Sequence, residues 1–375
     1  MTTRRRIRAL AWLTVPMLAL GACSAPANQT QQTSSAPAAS SGAAGGGSAA
    51  PAGSLTVTNC GKELTLSAPA TKMYINDGNI IALALAAGAV DEITAVSSIG
   101  RDLPILTAKY GEETVSKLKE VSPEYPALES VLAASPDLMV AGWGYGFDEA
   151  KNLTPDSLEG KGISSYILTE SCRQQEGGAE RGIVDPWEAV RIDITNLGTL
   201  TGHSDVAKGV VDDMDARLKV LEAAPKAEKA PVVFLFDSAK DAIFTSGSLG
   251  APTAIIEAAG GVNATADVKD TWTQVSWEKL ANSNPDLITF VEYPGQTYEE
   301  KVENLKSHPA TKDLPAVKEE RFLNLPYAMW TESPINIDAA EYVRKSFEKH
   351  GLVPASEVTT KLPMPAEVPG QDKLP

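Results

Sequence analysis

The sequence predicts an α/β protein: two Rossmann-like α/β lobes, joined by one long connecting helix, with a ligand cleft between them. Three observations predict it. Strand and helix signals alternate along both halves of the chain, the pattern of mainly parallel sheets. A helical stretch with no strand signal separates the halves. The halves also repeat short motifs in the same order.

The alternation begins with a hairpin. Leu55–Thr58 and Glu63–Leu66 flank Asn59-Cys60-Gly61-Lys62, which reads as its turn. Lys72–Ile75 is a strand, Asn79–Ala87 an apolar helix stopped by Gly88, and Ile93–Val96 a strand. Tyr125–Ala134 reads as a helix, followed by Pro136-Asp137, the strand Leu138–Ala141 and a short strand at Ser165–Leu168. These make an N-terminal lobe over 55–184.

The connector covers 185–226. Asp185-Pro186-Trp187-Glu188 opens a helix with an aspartate N-cap, proline at the first position and an acid in the first turn. Gly202 stops it. A second helix starts at Ser204-Asp205, with Val206, Val210, Met214, Leu218 and Leu221 at helical spacing.

The C-terminal lobe, 227–350, resumes the alternation. Val232–Phe236, Leu287–Val291 and Phe322–Leu325 are strands; Thr253–Ala259, Trp277–Asn282, residues 296–307 and Asn336–His350 are helices. Residues 351–375, rich in proline and polar groups, read as a tail. The internal echo lies here: Glu129 precedes Pro136-Asp137-Leu138 by the same spacing as Glu278 precedes Pro285-Asp286-Leu287. Ala86-Ala87-Gly88 is matched by Ala258-Ala259-Gly260.

The first 54 residues are of another kind. Arg4, Arg5, Arg6 and Arg8 precede the apolar run Ala9–Leu20, too short to persist as a membrane span. Leu20-Gly21-Ala22-Cys23 resembles the bacterial lipobox, in which the cysteine is lipidated and becomes the mature N-terminus. Residues 1–22 thus read as a lipoprotein signal peptide and Cys23 as the lipidation site. Residues 23–54, almost all Ser, Ala, Gly, Pro, Gln and Thr, read as a disordered lipid-anchored tether.

Composition excludes several functions. The formal charge of −15 argues against nucleic-acid binding, which needs a basic surface. No Gly-x-Ser-x-Gly or His-Glu-x-x-His appears, so no enzyme is indicated. The three histidines, His203, His308 and His350, stand apart from each other and from cysteine, so no metal site is expected. Cys60 and Cys172 are left as one pair in an oxidising compartment and read as a disulfide, with two free buried thiols as the other reading.

Ala242–Gly247 with Ala258–Asn263, then Trp272–Glu278 with Asn284–Ile288, resemble the substrate-binding lipoproteins of ABC importers for iron chelates, haem and cobalamin. These are the class III periplasmic binding proteins, and the resemblance runs over about residues 55 to 350. Asn59-Cys60-Gly61 and Glu170-Ser171-Cys172 look like an actinobacterial branch with a disulfide there. The resemblance implies a ligand held between the lobes, small closure, a permease as partner, a monomer, and Glu129 and Glu278 docking onto transporter arginines.

In such a cleft the ligand meets loops at the C-terminal ends of strands. Those loops offer Asn76, Asp77, Arg101, Trp143 and Tyr145 from the first lobe. From the second they offer Lys240, Phe244, Trp272, Tyr293, Tyr327 and Trp330. Aromatic rings supply flat apolar area with a polar edge, and Arg101 could pair with carboxylate or catecholate oxygens. The expected cargo is a ferric siderophore and no resident cofactor is expected. The alternatives are haem, with Tyr145, Tyr293 or Tyr327 as axial ligand, a corrinoid, or a non-transport lipoprotein that binds a protein partner.

Overall fold

The computed structural model describes residues 53–172 and 181–375. The signal segment, Cys23 and the tether as far as residue 52 lie outside the described residues.

The first lobe opens with the antiparallel hairpin β1 (Leu55–Asn59) and β2 (Lys62–Leu66). There follow β3 (Met73–Asn76), α1 (Gly78–Ala86), β4 (Ile93–Ser97), α2 (Leu103–Tyr110), α3 (Glu112–Val115) and β5 (Glu120–Ser122). Next come α4 (Leu128–Ala134), β6 (Leu138–Trp143), β7 (Gly146–Phe147), α5 (Pro155–Glu159) and β8 (Ser164–Ile167). The sheet is parallel in the order β5–β4–β3–β6, and β6 also pairs with β7 and β8.

The connector is a pair of helices, α6 (Pro186–Thr201) and α7 (Ser204–Ala223). The Asp185 carboxylate accepts from the N–H groups of Trp187 and Glu188 at 3.0 and 3.1 Å, the predicted cap. Gly202 ends α6 at φ 83°. The buried face of α7 differs from the predicted stripe: Ala207, Met214, Arg217 and Leu221 point inward while Val206 is exposed. Arg217 turns that face, because its guanidinium bridges the buried carboxylates of Asp338 and Glu341.

The second lobe holds β9 (Val232–Phe236), β10 (Ser238–Ala239), β11 (Ile243–Ser246), α8 (Ala251–Ala258), β12 (Val262–Asn263), β13 (Trp272–Val275) and α9 (Trp277–Ser283). It closes with β14 (Leu287–Glu292), α10 (Tyr298–Ser307), α11 (Pro315–Lys318), β15 (Phe322–Pro326) and α12 (Asn336–Lys349). Its main sheet is parallel, β12–β9–β14–β15, and β10–β11–β13 form a small antiparallel sheet.

Asp338 and Glu341 lie on α12, so the Arg217 pairs fasten the connector to the second lobe. One apolar cluster runs from Val57 and Leu83 through Leu197 and Leu221 to Ile255 and Phe347. The two sheets are therefore built around a core that they share with the connector. Among the described residues no helix is long and apolar enough to cross a membrane.

Residues 351–375, read from sequence as a tail, pack along the second lobe. Val353, Val358, Leu362 and Val368 are buried, and the Tyr342 hydroxyl donates to the Leu362 carbonyl at 2.8 Å. Cys60 and Cys172 are disulfide-bonded, with Cα atoms 5.3 Å apart.

Candidate functional site

The C-terminal ends of the parallel strands in both lobes converge on one cavity of about 630 Å³. Its aromatic wall comes from both sides. Tyr145 follows β6, Tyr293 follows β14 and Tyr327 follows β15. Tyr145 can lie there because Gly142 has no side chain: a Cβ at that position would come within 2.3 Å of the tyrosine ring.

Phe244 and Trp272 come from the small antiparallel sheet, where Phe244 pairs with Gln274 and Ser246 with Trp272. The two aromatic residues are thus diagonal neighbours on one face, within reach of each other. Their rings stack at 5.8 Å with an interplanar angle of 25°. This places them on strands, not in loops as the sequence predicts. Lys240, in the turn between β10 and β11, is exposed at the rim.

Beneath the tyrosines lies a charged cluster. Asp77 caps α1 at a positive φ of 80°, which costs a non-glycine residue energy and needs outside support. The support is dense. Asp77 is ion-paired with Arg101 and accepts from the Gly78 N–H at 3.0 Å, the Tyr125 hydroxyl at 3.2 Å and the Tyr327 hydroxyl at 3.4 Å. The Arg101 guanidinium lies over the rings of Tyr327 and Tyr293, 4.3 and 5.1 Å from their centroids. Asp102 accepts from the Ala328 N–H at 3.1 Å. Its carboxylate also fills the space where a side chain at Gly78 would stand, 2.2 Å from the Cβ position. Burial pushes Asp102 up to about 7 against the pull of Arg101, and burial likewise raises Asp77.

Of the predicted site residues, Tyr145, Lys240, Phe244, Trp272, Tyr293 and Tyr327 line the cavity. The others do not. Asn76 is fully buried, donating to the Tyr145 carbonyl at 2.9 Å and accepting from Ser97 at 2.8 Å, so it shapes the loop that carries Tyr145. Asp77 is buried beneath the wall. Arg101 is committed to Asp77, with 12% of its side chain exposed, and borders a smaller neighbouring cavity. Trp143 packs on Phe147 with ring centroids 5.8 Å apart. Trp330 is a core residue at 0% exposure whose Nε1–H donates to the Phe290 carbonyl at 3.0 Å.

The cavity also holds residues that the sequence reading passes over. Tyr125 is one, and its signal was present: proline disfavours helix in the residue before it, and Pro126 delays α4 to Leu128, leaving Tyr125 free to face the cavity. Asp237 directly follows β9, where the strand-end rule points. Glu170 and Arg181 also line the cavity, and the Arg181 guanidinium donates to the Trp143 carbonyl at 3.2 Å. Burial raises Asp237 from its ordinary value and pushes Glu170 up to about 7, with Arg181 opposing the latter. Among the described residues no three of His, Cys, Asp and Glu converge to hold a metal.

Glu129 and Glu278 stand away from the cavity. Each is exposed at the second position of its helix, α4 or α9.

A family model described as periplasmic binding protein matches residues 77–328. A cobalamin-binding protein of Halobacterium salinarum is 28% identical over 207 residues, covering 53% of this chain and 47% of that protein. The chain thus spans about half the length of the curated relative it matches. Among solved structures, a periplasmic binding protein from Veillonella parvula superposes with TM-score 0.66 at 22% identity, covering 80% of this chain and 98% of that one. One described as an ABC-type Fe3+-hydroxamate transport system, from Saccharomonospora viridis, gives 0.63 at 22% identity, covering 78% and 98%. These two show a shared fold.

Proposed function

Since the chain belongs to the periplasmic binding protein family, we propose that it is the lipid-anchored extracytoplasmic receptor of an ABC importer and that it captures a ferric siderophore. The observation that carries this reading is the cavity, walled by aromatic rings from both lobes at the C-terminal ends of two parallel sheets. Such a wall suits a bulky chelate whose outer surface is largely organic. Cys23 would supply the anchor and residues 24–54 the reach. The Saccharomonospora structure is named for ferric hydroxamate transport, which agrees with that cargo.

Haem is the alternative reading. A tyrosine that holds ferric haem must give up its phenolic proton. Burial, reinforced by nearby carboxylates, raises Tyr145 and Tyr327 well above the usual phenol range, which leaves Tyr293 on the cavity wall as the axial candidate in that reading.

A protein-bound metal is not required in this reading, because the iron arrives inside its own chelator. Glu129 and Glu278 would meet the permease, one from each lobe. Their exposure on equivalent helices supports that role.

The test is tryptophan fluorescence of the protein, titrated with ferric hydroxamates, ferric catecholates, haemin and cobalamin. Saturable quenching by a ferric siderophore is expected. Saturation by haemin or cobalamin alone would replace the cargo, and quenching by none would overturn the receptor reading.

A further inference from the structure

The floor of the cavity contains a contact that ligand capture does not explain. Glu170 lies in the turn Thr169–Ser171 after β8, and Glu332 in the loop between β15 and α12, so each lobe contributes one. They are joined reciprocally. The Glu170 N–H donates to Oε2 of Glu332 at 2.6 Å, and the Glu332 N–H donates to Oε2 of Glu170 at 3.1 Å. Glu170 is 7% exposed and Glu332 is fully buried.

Behind them stands Asp193 of α6, also fully buried. It accepts from the Tyr166 hydroxyl at 2.6 Å, from the Thr169 N–H at 2.9 Å and from the Thr169 hydroxyl. The groups that face this trio are Arg181 at the cavity, the phenols of Tyr145 and Tyr166, and Asn79 of α1. Asn79 donates its side-chain N–H to the Glu332 carbonyl at 2.9 Å. Arg181 is the cation that faces the trio among the described residues.

Three carboxyl groups opposed by one cation cannot all ionise in a poorly polarisable interior. Burial, then the charges of Asp193 and Glu170, hold Glu332 well above the usual range. We propose that Glu170 and Glu332 form a proton-dependent clasp between the lobes, which closes the floor of the cleft while one proton is retained and loosens when both carboxyls ionise.

The direction follows from linkage. A carboxyl raised in the folded state contributes stability that is complete below its ordinary value. That contribution is lost as pH rises, through about 7 for Glu170, and Glu332 is likewise raised well above its ordinary value. The cleft floor should therefore tighten in mild acid and loosen in mild base, whatever the cavity binds. Because Glu170 and Thr331 both line the cavity, a change in the clasp reaches the ligand directly.

The experiment compares the full-length protein with Glu332→Gln from about pH 5 to about pH 9. Hydrogen–deuterium exchange reads the Glu170 and Glu332 amides, corrected for intrinsic rates. Infrared spectroscopy reads the carbonyl stretch of protonated carboxyl groups. The wild type should lose about ten-fold or more in amide protection across that range. Glu332→Gln, which keeps the shape but removes one of the two titrations, should show a smaller pH dependence, with only the part due to Glu170 left, and should lack part of the carboxylic-acid band seen at neutral pH. Equal pH dependence in both proteins, or a neutral-pH acid band unchanged by the substitution, would overturn the clasp. Should Glu332→Gln fail to fold, Glu170→Gln carries the same expectations. Amide protection independent of pH in the wild type refutes the idea without any variant.

Discussion

Asp137 and Asp286 fill equivalent places in the two parallel sheets. Each follows a left-handed residue and a proline, at the end of the helix that carries Glu129 or Glu278; the left-handed residues are Ser135 at φ 48° and Asn284 at φ 41°. The Asp137 carboxylate accepts from the Thr71 N–H at 2.8 Å, the Thr71 hydroxyl at 2.9 Å and the Lys72 N–H at 3.0 Å. The Asp286 carboxylate accepts from the Val232 N–H at 2.9 Å. Each thus fastens the start of the neighbouring strand, β3 or β9.

The unequal number of bonds predicts unequal costs. Asp137→Ala should lose about 2 kcal/mol of stability and Asp286→Ala about 1 kcal/mol, since hydrogen bonds to an ionised acceptor are worth more than neutral ones. Urea unfolding of the two variants measures the difference. Equal losses would mean that the extra Thr71 bonds contribute nothing.

The tryptophans should separate by role. Trp272→Ala removes half of the stacked pair at the cavity and should weaken ligand quenching while leaving the fold intact. Trp330→Ala empties a fully buried site and should cost about 3 to 5 kcal/mol, whether or not ligand is present. Thermal melts beside fluorescence titrations distinguish them, and normal ligand affinity in Trp272→Ala would count against the cavity as the binding site.

Charge reversal of Glu129 and Glu278 together should abolish uptake in cells and leave ligand affinity of the purified protein unchanged. Surface charges of this kind set docking register and association rate more than fold stability. Loss of ligand binding in the double variant would place these residues elsewhere in function.

Asp102 should make the fold sensitive to pH. Its carboxyl is raised to about 7 by burial, so the folded chain holds a proton that the unfolded chain releases near its ordinary value of 3.8. The resulting stability is full in acid and is lost as pH rises towards 7. Asp102→Asn should flatten that part of the melting-temperature profile, and an unchanged slope would assign the pH dependence to other groups.

Much of this architecture was legible in the sequence because its signals were local. The aspartate-proline start of α6, the glycine stop at 202 and the matched Glu-to-Pro-Asp spacings each depend on a few neighbouring residues. The pairing of Cys60 with Cys172 followed from counting. What failed depended on long-range contacts. Nothing near Arg101 in the chain says that Asp77 will claim it, and nothing near Trp330 says that the Phe290 carbonyl will. The antiparallel strands behind Phe244 and Trp272 are short, and their pairing joins segments far apart in sequence. Glu170 and Glu332 likewise become partners only when the two lobes meet.

The disulfide has a mechanical consequence. The hairpin β1–β2 is where the N-terminal segment enters the folded body, and a pull from that side would ordinarily peel its hydrogen bonds apart one pair at a time. Here Asn59 grips Ile167 through two hydrogen bonds of 2.7 and 2.8 Å, and the next residue, Cys60, is covalently tied to Cys172. Peeling of β1 from Leu55 therefore stops at residue 59, and any load beyond that point passes to Cys172, two residues after Glu170. Only a pull strong enough to strip β1 is borne by the segment that carries Glu170.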